Sequence, residues 1–269
     1  MRTLKKPLIL LFILANIYAI LCGGLYFFQE NLLFHPQVIP DGYTFKFDHT
    51  FEEVWLDADD GARLHGIHFP VAQAKGVILY FHGNAGEIQR WGEITSFFVE
   101  KEYSVIVMDY RGYGRSRGAL SQEALYTDSE LWFAFAKAKY PETPLTLYGR
   151  SLGTTFAAFL ASEKQAQNVI LETPFYSIAD EAKSRFPILP IETLLKYPFP
   201  TYRFVNNIDE PITFFHGTED GVVAYEHGRK LFDLLESQRK EFVTIPNGGH
   251  NNLVQFAEYL DEIDAALTK

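Results

Sequence analysis

Tyr148-Gly149-Arg150-Ser151-Leu152-Gly153 is the stretch on which the reading of this chain turns. The residues before it, Leu145 to Tyr148, suit a short buried strand, and a helical pattern rich in small and apolar residues runs over 152–164. Between the two lies Gly-x-Ser-x-Gly. A strand-to-helix turn tight enough to lift a serine oxygen clear of a sheet holds its backbone under strain. It leaves no room for neighbouring side chains, which is the physical reason for glycine at 149 and 153. At this junction Ser151 is the candidate nucleophile, with Gly149 and Gly153 completing the elbow.

The rest of the chain repeats the same rhythm. Short runs rich in Val, Ile, Leu and aromatics occur at 76–81, 104–109, 168–171, 212–215 and 241–245. Helical patterns lie near 87–100, 121–139, 223–237 and 251–268. Residues 53–57 and 63–69 flank the turn signal Asp59-Asp60-Gly61 and read as a hairpin. This alternation predicts an α/β fold with a mostly parallel sheet covered by helices on both faces, in which function sits just beyond the carboxyl ends of the strands.

A serine hydroxyl needs a base, and the base needs an acid that fixes its tautomer and stabilises its charge. In the order expected after such an elbow, Asp220 follows the 212–215 strand and His250 lies in the Gly248-Gly249-His250 loop after the last one. Glu219 and Glu172 compete with Asp220 for the acid. Acyl transfer also requires NH donors for a developing oxyanion. The backbone NH of Leu152 is one candidate. The second belongs to Phe81-His82-Gly83-Asn84-Ala85-Gly86, where the NH of Asn84 is preferred and Ala85 is its neighbour.

Residues 174–210 break the rhythm with five prolines and aromatics such as Phe175, Tyr176, Phe186, Tyr197 and Phe199. A connection this long reads as a lid or as two short helices packed on the core, and the two readings are compatible. At the other end of the chain, no charge interrupts the interval between Lys6 and Glu30. About 20 apolar residues cross a bilayer, so 1–30 reads as an uncleaved membrane anchor and 31–269 as the catalytic domain. A cleaved secretory signal is the alternative, but the apolar segment is longer than a typical signal core. Cys22 lacks the small preceding residue of a lipid-attachment site. Gln29 to Pro36 is expected to be a short junction. Arg2, Lys5 and Lys6 precede the span and no Lys or Arg follows until Lys46, which predicts a cytoplasmic N-terminus and a domain on the outer side.

The chain carries a formal charge of −10, and its body is more negative still once those three bases are set aside. Such a surface repels nucleic acid. Cys22 is the only cysteine and sits in the apolar segment, so no intramolecular disulfide, Cys-ligated zinc site or cysteine nucleophile is available. The glycines of Asp109-Tyr110-Arg111-Gly112-Tyr113-Gly114 lack the third member of a dinucleotide loop. His65 and His68, three apart on a strand, point to opposite faces and do not share a metal. His82 and His216 are read as bonding to backbone. No metal or cofactor is expected.

Taken together, Gln29 to Pro36, Phe81 to Gly86, Asp109 to Ser116, Gly149 to Gly153, Glu172-Thr173-Pro174-Phe175, His216 to Asp220 and Gly249-His250-Asn251 resemble the BEM46-like, or ABHD13- and ABHD17-like, group of α/β hydrolases. The resemblance covers nearly the whole chain. It implies an eight-stranded α/β-hydrolase fold, Ser-Asp-His roles and, in many members, an N-terminal membrane segment. Some such relatives remove fatty acyl groups from protein cysteines and are tethered through a cysteine-rich N-terminus, which this chain lacks. The function expected is hydrolysis of an ester, thioester or amide of a small-molecule or acylated substrate through an acyl-enzyme. The other classes considered are a catalytically silent membrane-tethered binding protein and an acyltransferase using the same residues.

Overall fold

The computed structural model describes residues 5–269. Arg2, one of the three bases behind the orientation expectation, lies outside the described residues. The chain opens with α1 (Lys5–Leu33) and β1 (His35–Pro36), then the hairpin β2 (Glu52–Asp57) and β3 (Arg63–Phe69). There follow β4 (Val77–Phe81), β5 (Ala85–Gly86), α2 (Ile88–Glu100), β6 (Ser104–Met108), α3 (Gln122–Lys139), β7 (Leu145–Arg150), α4 (Gly153–Glu163) and β8 (Asn168–Glu172). The insertion contributes α5 (Ile178–Arg185) and α6 (Ile191–Leu194). The chain then closes with β9 (Ile212–Gly217), α7 (Tyr225–Leu234), β10 (Lys240–Ile245) and α8 (Ala257–Leu267).

Eight strands form one sheet in the order β10-β9-β8-β7-β4-β6-β3-β2. The β2/β3 and β3/β6 pairs are antiparallel and the rest parallel. The central strands β4, β6, β7 and β8 are buried along their length, as a sheet covered on both faces requires. Alternate residues serve two cores. Val77, Leu79 and Phe81 join Trp132 of α3, Phe156 of α4 and Leu231 of α7. Ile78 and Tyr80 join Trp91 and Phe98 of α2 and Ile263 of α8. Helix starts are set locally: the Ser121 hydroxyl accepts from Ala124 NH at 3.0 Å and the Ser177 hydroxyl from Asp180 NH at 2.9 Å.

One feature differs from the expected layout. The segment 29–36 is not a separate short junction, because α1 continues to Leu33 and the next residues pair with the loop after β4, His35 with Ala85 and Pro36 with Gly86. A ladder of two residues carries no periodicity for a sequence to display. The stretch Lys6–Leu33 contains an 18-residue window of mean hydropathy 2.5 and is the one helix among the described residues long and apolar enough to cross a membrane.

Candidate active site

The elbow between β7 and α4 is as tight as the glycines demand. Ser151 has φ +50°, a left-handed conformation that costs a non-glycine residue about 1–3 kcal/mol and persists only where its surroundings enforce it. A Cβ on Gly149 would stand 2.5 Å from Gly153 O, and one on Gly153 would collide with the carbonyl of Phe81. The Ser151 NH is anchored to Glu172 O at 2.9 Å.

Three side chains meet at this turn. Ser151 Oγ lies 3.0 Å from His250 Nε2, and His250 Nδ1 lies 2.7 Å from Asp220 Oδ2. The other oxygen of Asp220 accepts from the NH groups of Val222 and Val223, both at 2.8 Å. Burial acts to raise the Asp220 pKa. Hydrogen bonds from His216, His250 and the Val223 NH outweigh it and hold the carboxyl well below the usual range. An ionised Asp220 selects the His250 tautomer that donates from Nδ1, which leaves Nε2 to accept from the serine hydroxyl.

Of the competing acids, Glu219 is exposed. Glu172 is engaged elsewhere: its carboxylate takes the Tyr148 hydroxyl at 2.5 Å and the Arg150 Nε at 3.2 Å. Arg150 also reaches the base loop, donating to His250 O and Asn251 Oδ1, each at 3.2 Å. Sequence reading assigned no role to Arg150. Its signal was a charge beside the nucleophile at the end of a buried strand, which has to find a partner. His216 bonds to backbone as expected, 3.0 Å from Val223 O, but it also stands 3.4 Å from Asp220 Oδ2.

Opposite the triad, the loop after β4 passes under the serine, and a Cβ on Gly83 would be 3.7 Å from Ser151 Cβ and 3.3 Å from the Trp91 ring. The Tyr113 hydroxyl lies 2.8 Å from Asn84 O and 2.9 Å from its side-chain Oδ1. The Asn84 side-chain amide donates to Leu33 O at the end of α1, and Trp91 Nε1 donates to Ala85 O at 2.9 Å. Behind the loop, buried His82 stands 2.6 Å from Gly83 O and 3.5 Å from Asp109. The loop is therefore braced on several sides.

Asn84, Ala85, Leu152, Ser151 and His250 all border one cavity of about 410 Å³. Its apolar walls include Leu32 and Leu33 of α1 with Phe175, Ile178 and Phe199 of the insertion. His65 and His68 belong elsewhere, each 3.0 Å from its own carboxylate, Glu53 and Glu52. Among the described residues no group of His, Cys, Asp and Glu is arranged to hold a metal.

Against known proteins, the family model Hydrolase_4, described as serine aminopeptidase, S33, matches residues 72–210. That span includes the Asn84 loop, the elbow and the insertion. An uncharacterised protein of Mycobacterium tuberculosis is 27% identical over 263 residues, covering 94% of this chain and 93% of that protein. Alpha/beta hydrolase domain-containing protein 17B of Homo sapiens is 30% identical over 196 residues, 71% of this chain and 65% of that one. Among solved structures, an esterase of Pyrococcus furiosus superposes with a TM-score of 0.71 at 19% identity, covering 87% of this chain and 96% of its own. A soluble variant of monoglyceride lipase from Saccharomyces cerevisiae gives 0.65 at 16% identity, with 85% and 97% covered. At these identities the two structures speak to the fold.

Proposed function

The chain belongs to the serine aminopeptidase S33 family of α/β hydrolases, and from that premise we propose that it is a membrane-anchored serine hydrolase working through an acyl-enzyme. The observation that carries the reading is the unbroken line of hydrogen-bonding distances from Asp220 through His250 to Ser151 at the tip of a strained turn. Ser151 Oγ attacks the acyl carbon while His250 Nε2 takes its proton. The imidazolium so formed is stabilised by Asp220, and His250 returns the proton to the leaving alcohol, thiol or amine. Water, activated by the same imidazole, releases the acyl group. The NH groups of Leu152 and Asn84 bind the oxyanion, each contributing about 3 kcal/mol to the transition state. Apolar walls favour the acyl portion of an ester or thioester over a polar peptide.

The same reading keeps α1 as a retained anchor. Leu33 O holds the Asn84 side chain and Leu32 and Leu33 wall the cavity, so losing the helix would remove part of the site itself. The domain then stands on the outer side of the membrane, with the N-terminus in the cytoplasm.

Hydrolysis of p-nitrophenyl esters of graded chain length by the wild type and three variants tests the proposal. Ser151→Ala is expected to lose at least about four orders of magnitude in kcat. Asp220→Asn should lose roughly a thousandfold or more, and Glu172→Gln far less. Near-normal turnover by Asp220→Asn together with an inactive Glu172→Gln would transfer the acid role to Glu172.

A further inference from the structure

We propose that the tip of the insertion, Phe186-Pro187-Ile188-Leu189, is a second membrane contact that enters the same bilayer as α1. The inference rests on the reading of α1 as a membrane span. The helix does not leave the domain at its own end. Gln29 brackets the insertion through Leu194 O at 3.0 Å and Lys196 NH at 2.8 Å, and the Tyr197 hydroxyl meets Glu30 at 2.7 Å. Farther toward the N-terminus, the Tyr18 hydroxyl donates to Ile188 O at 2.8 Å. The segment from Lys196 back to Ile188 therefore runs alongside α1 from Gln29 to Tyr18.

A bilayer core takes up about 20 helical residues, and counted from Lys6 these reach Tyr26. The stretch from Tyr18 to Tyr26 then lies inside the apolar layer while still touching the insertion. The eight steps between them make about 12 Å of helix. With the head-group layer beginning outward of Tyr26, those 12 Å carry the tip past the acyl boundary into the hydrocarbon of the outer leaflet. The side chains agree with this depth. Phe186 is 55% exposed and Ile188 79%, which is costly against water and ordinary against lipid. Lys196 stacks 4.8 Å over the Tyr26 ring, an aromatic and basic pair suited to the interface. On the shoulder, Lys183 and Glu192 pair at 3.1 Å. The tip follows directly on α5, whose Ile178, Glu181 and Arg185 border the catalytic cavity, so its immersion sets that cavity at the membrane surface.

The test uses the full chain in Cys22→Ser background, with single reporter cysteines introduced as Phe12→Cys, Ile188→Cys or Leu260→Cys. Each is labelled with an environment-sensitive fluorophore and reconstituted into phosphatidylcholine vesicles containing doxyl-tail lipid. Leu260 is exposed on the far helix α8 and serves as the aqueous reference. The expected result is quenching at positions 12 and 188 at least twice that at position 260. Quenching at 12 with position 188 no different from 260 would overturn the tip contact and leave the anchor standing. No quenching at either would remove the membrane reading and this proposal together. None of these readouts depends on Ser151 chemistry.

Discussion

Arg150 shows how much of this site depends on a residue whose type the Gly-x-Ser-x-Gly pattern leaves free. Its guanidinium joins Glu172, on the neighbouring strand, to the loop that presents His250. Arg150→Met would leave Glu172 buried without its charge partner, and an uncompensated buried charge costs about 3–5 kcal/mol. Urea titration should show a loss of that order, with at least half recovered in the Arg150→Met/Glu172→Gln double variant. A loss under about 0.5 kcal/mol would show that the link contributes little. His65 makes a different prediction. Burial outweighs the hydrogen bond that His65 makes to the Glu53 carboxylate and lowers its pKa to about 4. The unfolded chain binds this proton near pH 6.5 and the folded chain only near 4, so the neutral imidazole contributes stability above pH 6.5 that is lost as pH falls toward 4. The loss is on the order of 3 kcal/mol. Denaturation midpoints of wild type and His65→Gln, compared from pH 7 to pH 4, should diverge accordingly; parallel curves would contradict the assignment. The convergence of Ser151, His250 and Asp220 was legible in the sequence because strand-end position and chain order narrow the candidates. Arg150 and the second contact of His216 were not, since a partner brought in by folding leaves no local pattern.

At the scale of elements, the turn from β7 to α4 is the tightest constraint. Gly153→Ala would drive a methyl group into the Phe81 carbonyl, so the two central elements could not both hold their places. The expected outcome is little or no soluble protein, whereas Gly221→Ala, which meets nothing within 4 Å, should be recovered with an unchanged melting temperature. Soluble, active Gly153→Ala would mean that the elbow is looser than described. The strands and most helices could be read from the alternation of apolar runs and amphipathic patterns. The α1 terminus and the β1–β5 ladder could not, because Gln29-Glu30-Asn31 looks like a polar break until Gln29 and Glu30 are matched with Leu194, Lys196 and Tyr197 across the insertion. The insertion itself, read as either lid or packed helices, contains α5 and α6 and shares its aromatic core contacts with the body of the domain.

For the whole molecule, the picture is an acidic hydrolase domain whose cavity lies beside the end of an apolar helix. If the domain faces outward, protease added to intact cells should degrade it, and protection there with digestion only from the cytoplasmic side would reverse the orientation. The central claim is that one serine becomes covalently acylated. It is tested most directly by treating the full-length protein with a fluorophosphonate and locating the adduct by peptide mass spectrometry. A single adduct on Ser151 is expected, absent in Ser151→Ala and strongly slowed in His250→Ala. Folded wild-type protein that takes up no label, or that carries it on another residue while Ser151→Ala still turns over ester, would contradict it.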